Sequence, residues 1–415
     1  MRKQTKLVAV LSTAALLAIG ASMTSFAATG WAEEDGTWVY YDRNGDKVTD
    51  KWAKSGNNWY YLDSNGEMAV DHLIEDGDNY YYVDVNGVMA ANQWVAIDNE
   101  DAGQDDEPEH YWYYFQANGK AYKQGDNSDV ALKTINGKKY AFDQYGAMVA
   151  EWSLDEDDEK KASDTEAQEA ASTASTSEAW EGNGKYAKYT QAWKYYNSVE
   201  DGSRVSKGWF KVVPAEMLNK EKYDDDEESW YYADGSGNLY AGEFKTIKGK
   251  KYAFRNDGRM LTGLKFIKEG DEDFADVKAD DDDSRPFDNE DDFFDNAIEF
   301  YEPNGYKCYY FGGDDDGAMR TGKTTINYDG ENTSFYFEKS GGKKGAGVTG
   351  EKDDKLYQSG MLLKAGTDEK YQVVKLTTAT DSNNKTIKTY TMTSTSLLIR
   401  LPRLLMARPL LPTTN

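Results

Sequence analysis

The chain has 415 residues, with 31 Tyr, 15 Phe and 11 Trp against 7 Pro, and a formal net charge of -26. So negative a chain repels phosphate backbones, which argues against nucleic acid as a partner, and its acidic surface keeps an aromatic-rich protein soluble. The one cysteine, Cys308, excludes an internal disulfide framework, and two histidines, His72 and His110, leave almost nothing for a zinc site or acid–base catalysis.

Residues 1–27 read as a secretory signal peptide. Arg2, Lys3 and Lys6 form a basic start, and residues 7–20 are apolar but short for a membrane span. Ser25 and Ala27 place small residues where a signal peptidase reads them. Cleavage there gives a secreted chain that begins near Ala28 and has no membrane insertion.

Residues 28–152 form a first repeat array. An aromatic phrase recurs as WVYYDRNGDKV at 38–48, WYYLDSNGEM at 59–68 and YYYVDVNGVM at 80–89, so that Gly45, Gly66 and Gly87 stand 21 residues apart. A fixed period of this size marks a repeat architecture in which each unit buries its apolar surface on the next. Each phrase is expected to be a β-hairpin: aromatic side chains alternate between faces, and Asn65-Gly66 and its equivalents supply the positive φ of a tight turn. Met68, Met89, Met148 and Met260 recur behind the phrases as core filler. Trp94 then opens a longer unit, with an acidic insert at 98–110, the hairpin at Trp112 and the phrase TINGKKYAF at 134–142.

Residues 153–180 read as a flexible acidic Ser/Thr/Ala linker, with a short charged helix as the alternative. A second, more degenerate array follows at 181–366. Trp209 opens a copy of the long unit, with an acidic insert at 220–229, the hairpin at Trp230 and TIKGKKYAF at 246–254, which differs from its counterpart at one position. A third copy starts at Leu264, and its strand phrase 306–311 holds Cys308 as a packed thiol. Residues 367–415 read as a disordered tail. The expected fold class is therefore all-β, with tandem β-hairpin repeats stacked as a solenoid, a flexible linker and irregular acidic inserts.

Gly30-Trp31, the phrase WVYYDRNG, Trp52 and the phrase WYYLDSNGEM resemble the choline-binding and glucan-binding cell-wall repeats of Gram-positive surface proteins. The KKYAF phrases look more like the glucan-binding regions of glucosyltransferases and the receptor-binding arrays of clostridial toxins. The resemblance implies ligand cages between consecutive hairpins, made by the Trp that opens a repeat, the aromatic that starts its hairpin and the equivalent aromatic one repeat later. Carried over by position, one cage is Trp31, Trp38 and Trp59, and the next is Trp52, Trp59 and Tyr80. Trp94, Trp112, Trp209 and Trp230 are further candidates. Aromatic faces hold a quaternary ammonium at about 0.5–2 kcal/mol per ring, and serial weak sites act by avidity on a polymer. The same aromatics also suit solenoid core or a sugar platform, and these readings stay open. His72 stands where the third unit needs a Trp, and Lys139 and Lys251 take the cage position of the KKYAF hairpins, where a cation repels choline.

No catalytic residues, metal ligands or cofactors are assigned. The acidic runs lack the spaced ligands and bidentate Glu of an EF-hand loop and read as solvated loops. The sequence thus points to a secreted, non-enzymatic, cell-wall-associated protein. Its partner is a cell-wall polymer bearing choline or sugar, as in a choline-substituted teichoic acid or a glucan-like polysaccharide. A structural or adhesin-like surface protein contacting host glycans or proteins is the alternative, and a cell-wall hydrolase is third.

Overall fold

The structure is a computed structural model that describes residues 29–103, 107–125, 130–154, 185–271, 273–278, 293, 300–313, 315–328, 331–365, 373–380 and 384–393. The proposed signal peptide, most of the linker and the end of the tail lie outside the described residues. The chain is all-β, built of tandem antiparallel hairpins, and it divides into two compact units. One runs to Val95 and includes Tyr114–Ala121; the other comprises Ala96–Tyr113 and Tyr122 onward.

The first unit holds three hairpins of one design. They are β1 (Gly30–Glu34) with β2 (Thr37–Tyr41), β3 (Lys51–Ser55) with β4 (Asn58–Leu62), and β5 (His72–Asp76) with β6 (Asn79–Val83). In each, the aromatic phrase is the second strand, and it pairs with the strand before it: Trp31 faces Tyr40, Trp52 faces Tyr61 and Leu73 faces Tyr82. This corrects the expected hairpin. The tight turn lies upstream, at Asp35-Gly36 in the first hairpin, where both residues have positive φ (51° and 85°), as a type I′ turn demands.

The Asn-Gly pair belongs to a second turn, nucleated by an aspartate. The Asp63 carboxylate accepts from the backbone N–H of Asn65 and Glu67, both at 2.9 Å, and Asp42 and Asp84 repeat the pattern. Asp and Asn bond the backbone two residues on and so favour turns over strands. This turn brings the tail of each repeat back onto the preceding hairpin. Met68 N–H donates to the Trp38 carbonyl at 2.7 Å, and Met89 N–H to that of Trp59 at 2.9 Å.

The methionines fill the seam this creates. A Cβ on Gly87 would lie 2.9 Å from Met68 Cε, and φ there is +76°. Glycine is therefore required twice, for the conformation and for the approach. Val39, Tyr60, Leu62, Ile74, Tyr82 and Val83 form the buried rows between hairpins.

The strands β7 (Gln93–Asp98) and β8 (His110–Phe115) follow; Trp94 and Tyr114 belong to the first unit. In the second unit, β9 (Lys133–Ile135) and β10 (Lys138–Tyr140) form a short hairpin. Strand β11 (Glu151–Leu154) then pairs with β12 (Trp193–Tyr196), far along the chain. Ser153 and Leu154, placed in the linker by sequence, are thus strand residues, because the aromatic strand at Trp193 completes their hairpin.

A helix, α1 (Lys185–Ala192), leads into β12 and buries Tyr186 and Tyr189 against Leu218, Tyr231 and Leu239. Strands β13 (Gly208–Val212) and β14 (Ser229–Ala233) enclose a second helix, α2 (Lys220–Asp224). The Asn219 side chain caps α2 by accepting from Lys222 N–H, so part of this acidic insert is helix and not solvated loop. The hairpin of β15 (Glu243–Ile247) and β16 (Lys250–Phe254) comes next.

Beyond it the repeats fuse into larger sheets. Strand β17 (Leu264–Glu269) pairs with both β18 (Phe274–Lys278) and β19 (Tyr306–Tyr310). A five-stranded sheet orders β20 (Gly322–Tyr328), β21 (Glu331–Phe337), β24 (Met361–Leu362), β23 (Lys355–Gln358) and β22 (Gly350–Lys352). Phe266, Phe293, Tyr301, Phe335, Phe337 and Met361 pack beneath as one core.

The tail reading needs correction. Strands β25 (Val373–Thr380) and β26 (Thr386–Thr393) form an eight-residue antiparallel ladder within it. Their Val and Thr content suits strands without any aromatic phrase. Val374 is buried in the core, and Tyr390 N–H donates to the Gln358 carboxamide oxygen at 2.6 Å.

Candidate functional site

The strand register decides which aromatics share a surface. Directly paired residues, and residues two apart, lie on one face of a hairpin. Trp31, Glu33, Trp38 and Tyr40 therefore share the face of the first hairpin, and Trp52, Lys54, Trp59 and Tyr61 that of the second. Tyr60 lies on the opposite face of its strand from Trp59. It is buried and reaches back to the first hairpin.

The opening tryptophans bridge consecutive hairpins. The Trp31 ring lies 5.2 Å from Tyr40 and 5.1 Å from Tyr60, both edge-on. The Trp52 ring lies 5.2 Å from Tyr61 and 5.0 Å from Tyr81. The residue contributed by the next repeat is therefore Tyr60 or Tyr81, one position beyond the Trp59 and Tyr80 read from sequence. The expected trios do not meet ring to ring. Trp38 and Trp59 stack on no other ring among the described residues, and Trp59 is 40% exposed. The two kinds of tryptophan differ accordingly: the opening one packs on rings of two hairpins, and the hairpin one stacks on no ring, with Trp38 half-buried and Trp59 exposed.

Indole and phenol chemistry follows this placement. Trp52 Nε1 donates to Asp76 Oδ2 at 3.0 Å, whereas Trp31 Nε1 is buried with no partner. Burial, with Asp50, Asp76 and Asp63 nearby, raises the Tyr61 pKa, and burial with Asp76 does the same for Tyr81. These phenols stay neutral, so any attraction for a cation on this face comes from the ring faces and the carboxylates.

The third unit departs otherwise than expected. His72 pairs with Val83 and is exposed, while Leu73 pairs with Tyr82 and so takes the tryptophan's place. Leu73 gives the third face an aliphatic wall where its neighbours have an indole. Trp94 continues the pattern against Tyr114 at 5.2 Å.

In the second unit the tryptophans serve the core. Trp209 lies within 4.8–6.4 Å of Trp230, Tyr232, Tyr252 and Phe254. Trp152 packs on Trp193, Tyr195, Phe210 and Tyr231, and its Nε1 donates to the Val213 carbonyl at 2.7 Å. Trp152 was absent from the expected set, although the WKYY phrase at 193–196 was the signal for its partner strand. Trp230 Nε1 donates to Asp315 Oδ1 at 2.8 Å. That bond, then Lys211, lowers the Asp315 pKa. Trp112 is half-buried, lies edge-on to His110 at 5.6 Å, and has a buried, unpartnered Nε1.

The KKYAF hairpins keep the position and change the group. The Lys139 carbonyl accepts from Arg204 N–H and the Lys251 carbonyl from Met319 N–H, both at 2.8 Å, as Trp38 and Trp59 do from Met68 and Met89. Lys251 Nζ sits 4.2 Å above the ring of Phe244, which occupies the opening position of its hairpin. Cys308 is buried, and burial pushes its thiol pKa well up, which suits packing and not nucleophilic chemistry. Among the described residues no group of three His, Cys, Asp or Glu side chains is placed to hold a metal ion, and no helix is long and apolar enough to cross a membrane.

Residues 28–72 and 48–94 match the family model of the choline-binding repeat. Over 270 residues the chain is 31% identical to glucosyltransferase-S of Streptococcus mutans, covering 59% of this chain and 17% of that protein. The modular autolysin LytC of Streptococcus pneumoniae aligns at 17% identity over 83% of this chain and 55% of its own, with a TM-score of 0.39. Choline binding protein F of the same organism, solved in the presence of a peptidoglycan analogue, aligns at 16% identity over 81% and 93%, with a TM-score of 0.38. The chain thus spans about half of the autolysin and under a fifth of the glucosyltransferase. The likeness to the choline-binding repeat is confined to residues 28–94.

Proposed function

We propose that this is a secreted, cell-wall-associated binding protein whose first unit recognises choline on a repetitive surface polymer. The observation that carries the reading is the face of the first hairpin. Trp31 is steadied by Tyr40 and Tyr60, the half-buried Trp38 shares their face with no ring stacked on it, and Glu33 supplies negative charge beside them. Aromatic rings and a carboxylate together suit a quaternary ammonium, which carries charge but donates no hydrogen bond. Each site is weak, and a polymer that engages several gains by effective concentration. The work assigned to the chain is binding, with no reaction attached.

Retention of the full-length protein on choline resin, with elution by free choline, tests this. Loss of retention in Trp38→Ala is expected, and unchanged retention would remove the choline assignment. A glucan is the second reading, favoured by the 31% identity to a glucosyltransferase. It gains if soluble glucan releases the protein from walls and choline does not. Wall lysis by the purified protein would overturn the assignment of binding without catalysis.

A further inference from the structure

The faces of successive hairpins differ at one position, across the strand pair from the first aromatic of the phrase. Glu33 stands opposite Trp38, Lys54 opposite Trp59 and Glu75 opposite Tyr80. The substitution has a physical consequence. Lys54 Nζ lies 5.6 Å from the centroid of the Trp59 ring, within the range of a cation–π contact. Trp59 stacks on no other ring among the described residues, so this ammonium takes the free aromatic surface of the second face. Asp76 of the third hairpin, which reaches that face, is engaged by the Trp52 indole N–H at 3.0 Å.

The second unit reaches the same state by a different residue. There the lysine replaces the hairpin aromatic itself, and Lys251 Nζ lies 4.2 Å above Phe244. Two faces of different sequence thus present one arrangement, a lysine of the chain lying on the aromatic surface.

We propose that the repeats are of two kinds, open and self-filled. The open kind is the Trp31–Trp38 face, where Glu33 attracts a cationic ligand. In the self-filled kind, Lys54 or Lys251 occupies the aromatic surface, and a quaternary ammonium binds only by displacing it. A tethered ammonium competes at an effective concentration on the order of mM, which is enough to suppress a weak site. Lys54 is therefore a specificity-determining residue: a glutamate there opens the second face, and a lysine at position 33 closes the first. This inference rests on the choline reading.

The test is a titration of the full-length protein with choline chloride, followed through the indole N–H signals in NMR and assigned by single Trp→Phe variants. In the unmodified protein the Trp38 signal is expected to respond at about tenfold less choline than the Trp59 signal, the size of one exposed cation–π contact with its charge reversed. Lys54→Glu brings the Trp59 midpoint down to that of Trp38, Lys54→Met moves it part of the way, and Glu33→Lys raises the Trp38 midpoint about tenfold. Equal midpoints in the unmodified protein, or a Trp59 midpoint unmoved by Lys54→Glu while Trp38 still responds, overturn the inference alone. Silence of every indole signal in both the unmodified protein and Lys54→Glu overturns the choline reading and the inference together.

Discussion

The first three hairpins and the KKYAF hairpin of the second unit share a backbone and differ in what they offer a ligand. In both, the hairpin pairs at the same register, and the carbonyl of its first phrase residue accepts from the tail of the following repeat: Trp38 from Met68 at 2.7 Å, Lys251 from Met319 at 2.8 Å. The side chain on that residue is an indole in one case and an ammonium in the other. Backbone hydrogen bonds and the methionine seam therefore hold the array whatever the side chain, which frees that position to change. The comparison teaches that architecture and ligand capacity are separable here, and that repeat identity alone does not predict a binding site.

Core and wall tryptophans give the sharpest way to break the comparison. Trp209 touches four rings of the second unit, so Trp209→Ala is expected to cost about 3–5 kcal/mol, read as a lower midpoint in denaturant unfolding. Trp59, 40% exposed, should cost under about 1 kcal/mol when replaced by Ala. Equal losses would show that the two units use their tryptophans alike.

The seam comes next. Gly87→Val meets both an unfavourable φ and the Met68 side chain, and should cost about 2–4 kcal/mol. Gly77, with open space around its Cβ position, should lose only about 1 kcal/mol as Ala, because its φ of +58° still disfavours a side chain. Equal losses by thermal unfolding would mean that the methionine seam does not hold the array.

The aspartate turns carry a smaller effect. Asp63→Ala removes the one carboxylate oxygen that accepts both backbone N–H bonds and should cost about 1 kcal/mol, with Asp63→Asn recovering most of it. No recovery would make the carboxylate charge, not the turn, the important feature.

The smallest effect is in pH dependence. Backbone N–H bonds from Asp46 and then Asn44 lower the Asp42 pKa, whereas burial raises that of Asp143 despite the same kind of bonds. The lowered group contributes stability above the unfolded-state pKa and loses it as pH falls through the folded value. The raised group contributes stability below its unfolded pKa and loses it as pH rises through the folded one. Carboxyl NMR should therefore show Asp143 titrating above Asp42, and the opposite order would contradict the burial of the second turn.

Much of this was legible in the chain itself. The 21-residue spacing, the alternating aromatics, the Asp and Gly of each turn and the recurring methionines determine a tandem array of hairpins, because each reflects a requirement of the local backbone. They also mark position 251 as a lysine in an aromatic's place. What only the tertiary structure decided was pairing between distant segments. The aromatic phrase pairs on both sides, with a five-residue ladder to the upstream strand and a single bridge, Leu62 to Met68 in the second repeat, across the downstream turn. The 21-residue spacing of Trp31 and Trp52 already falls on Leu73, not His72, whereas only the packing put Tyr60, not Trp59, against Trp31. Glu151–Leu154 found Trp193–Tyr196 across residues with no strand pattern, and the tail gained a ladder without an aromatic phrase. Local sequence sets which way each side chain can face. The neighbour that face meets depends on long-range pairing and burial, and that contact separates a wall open to ligand from one packed into the core.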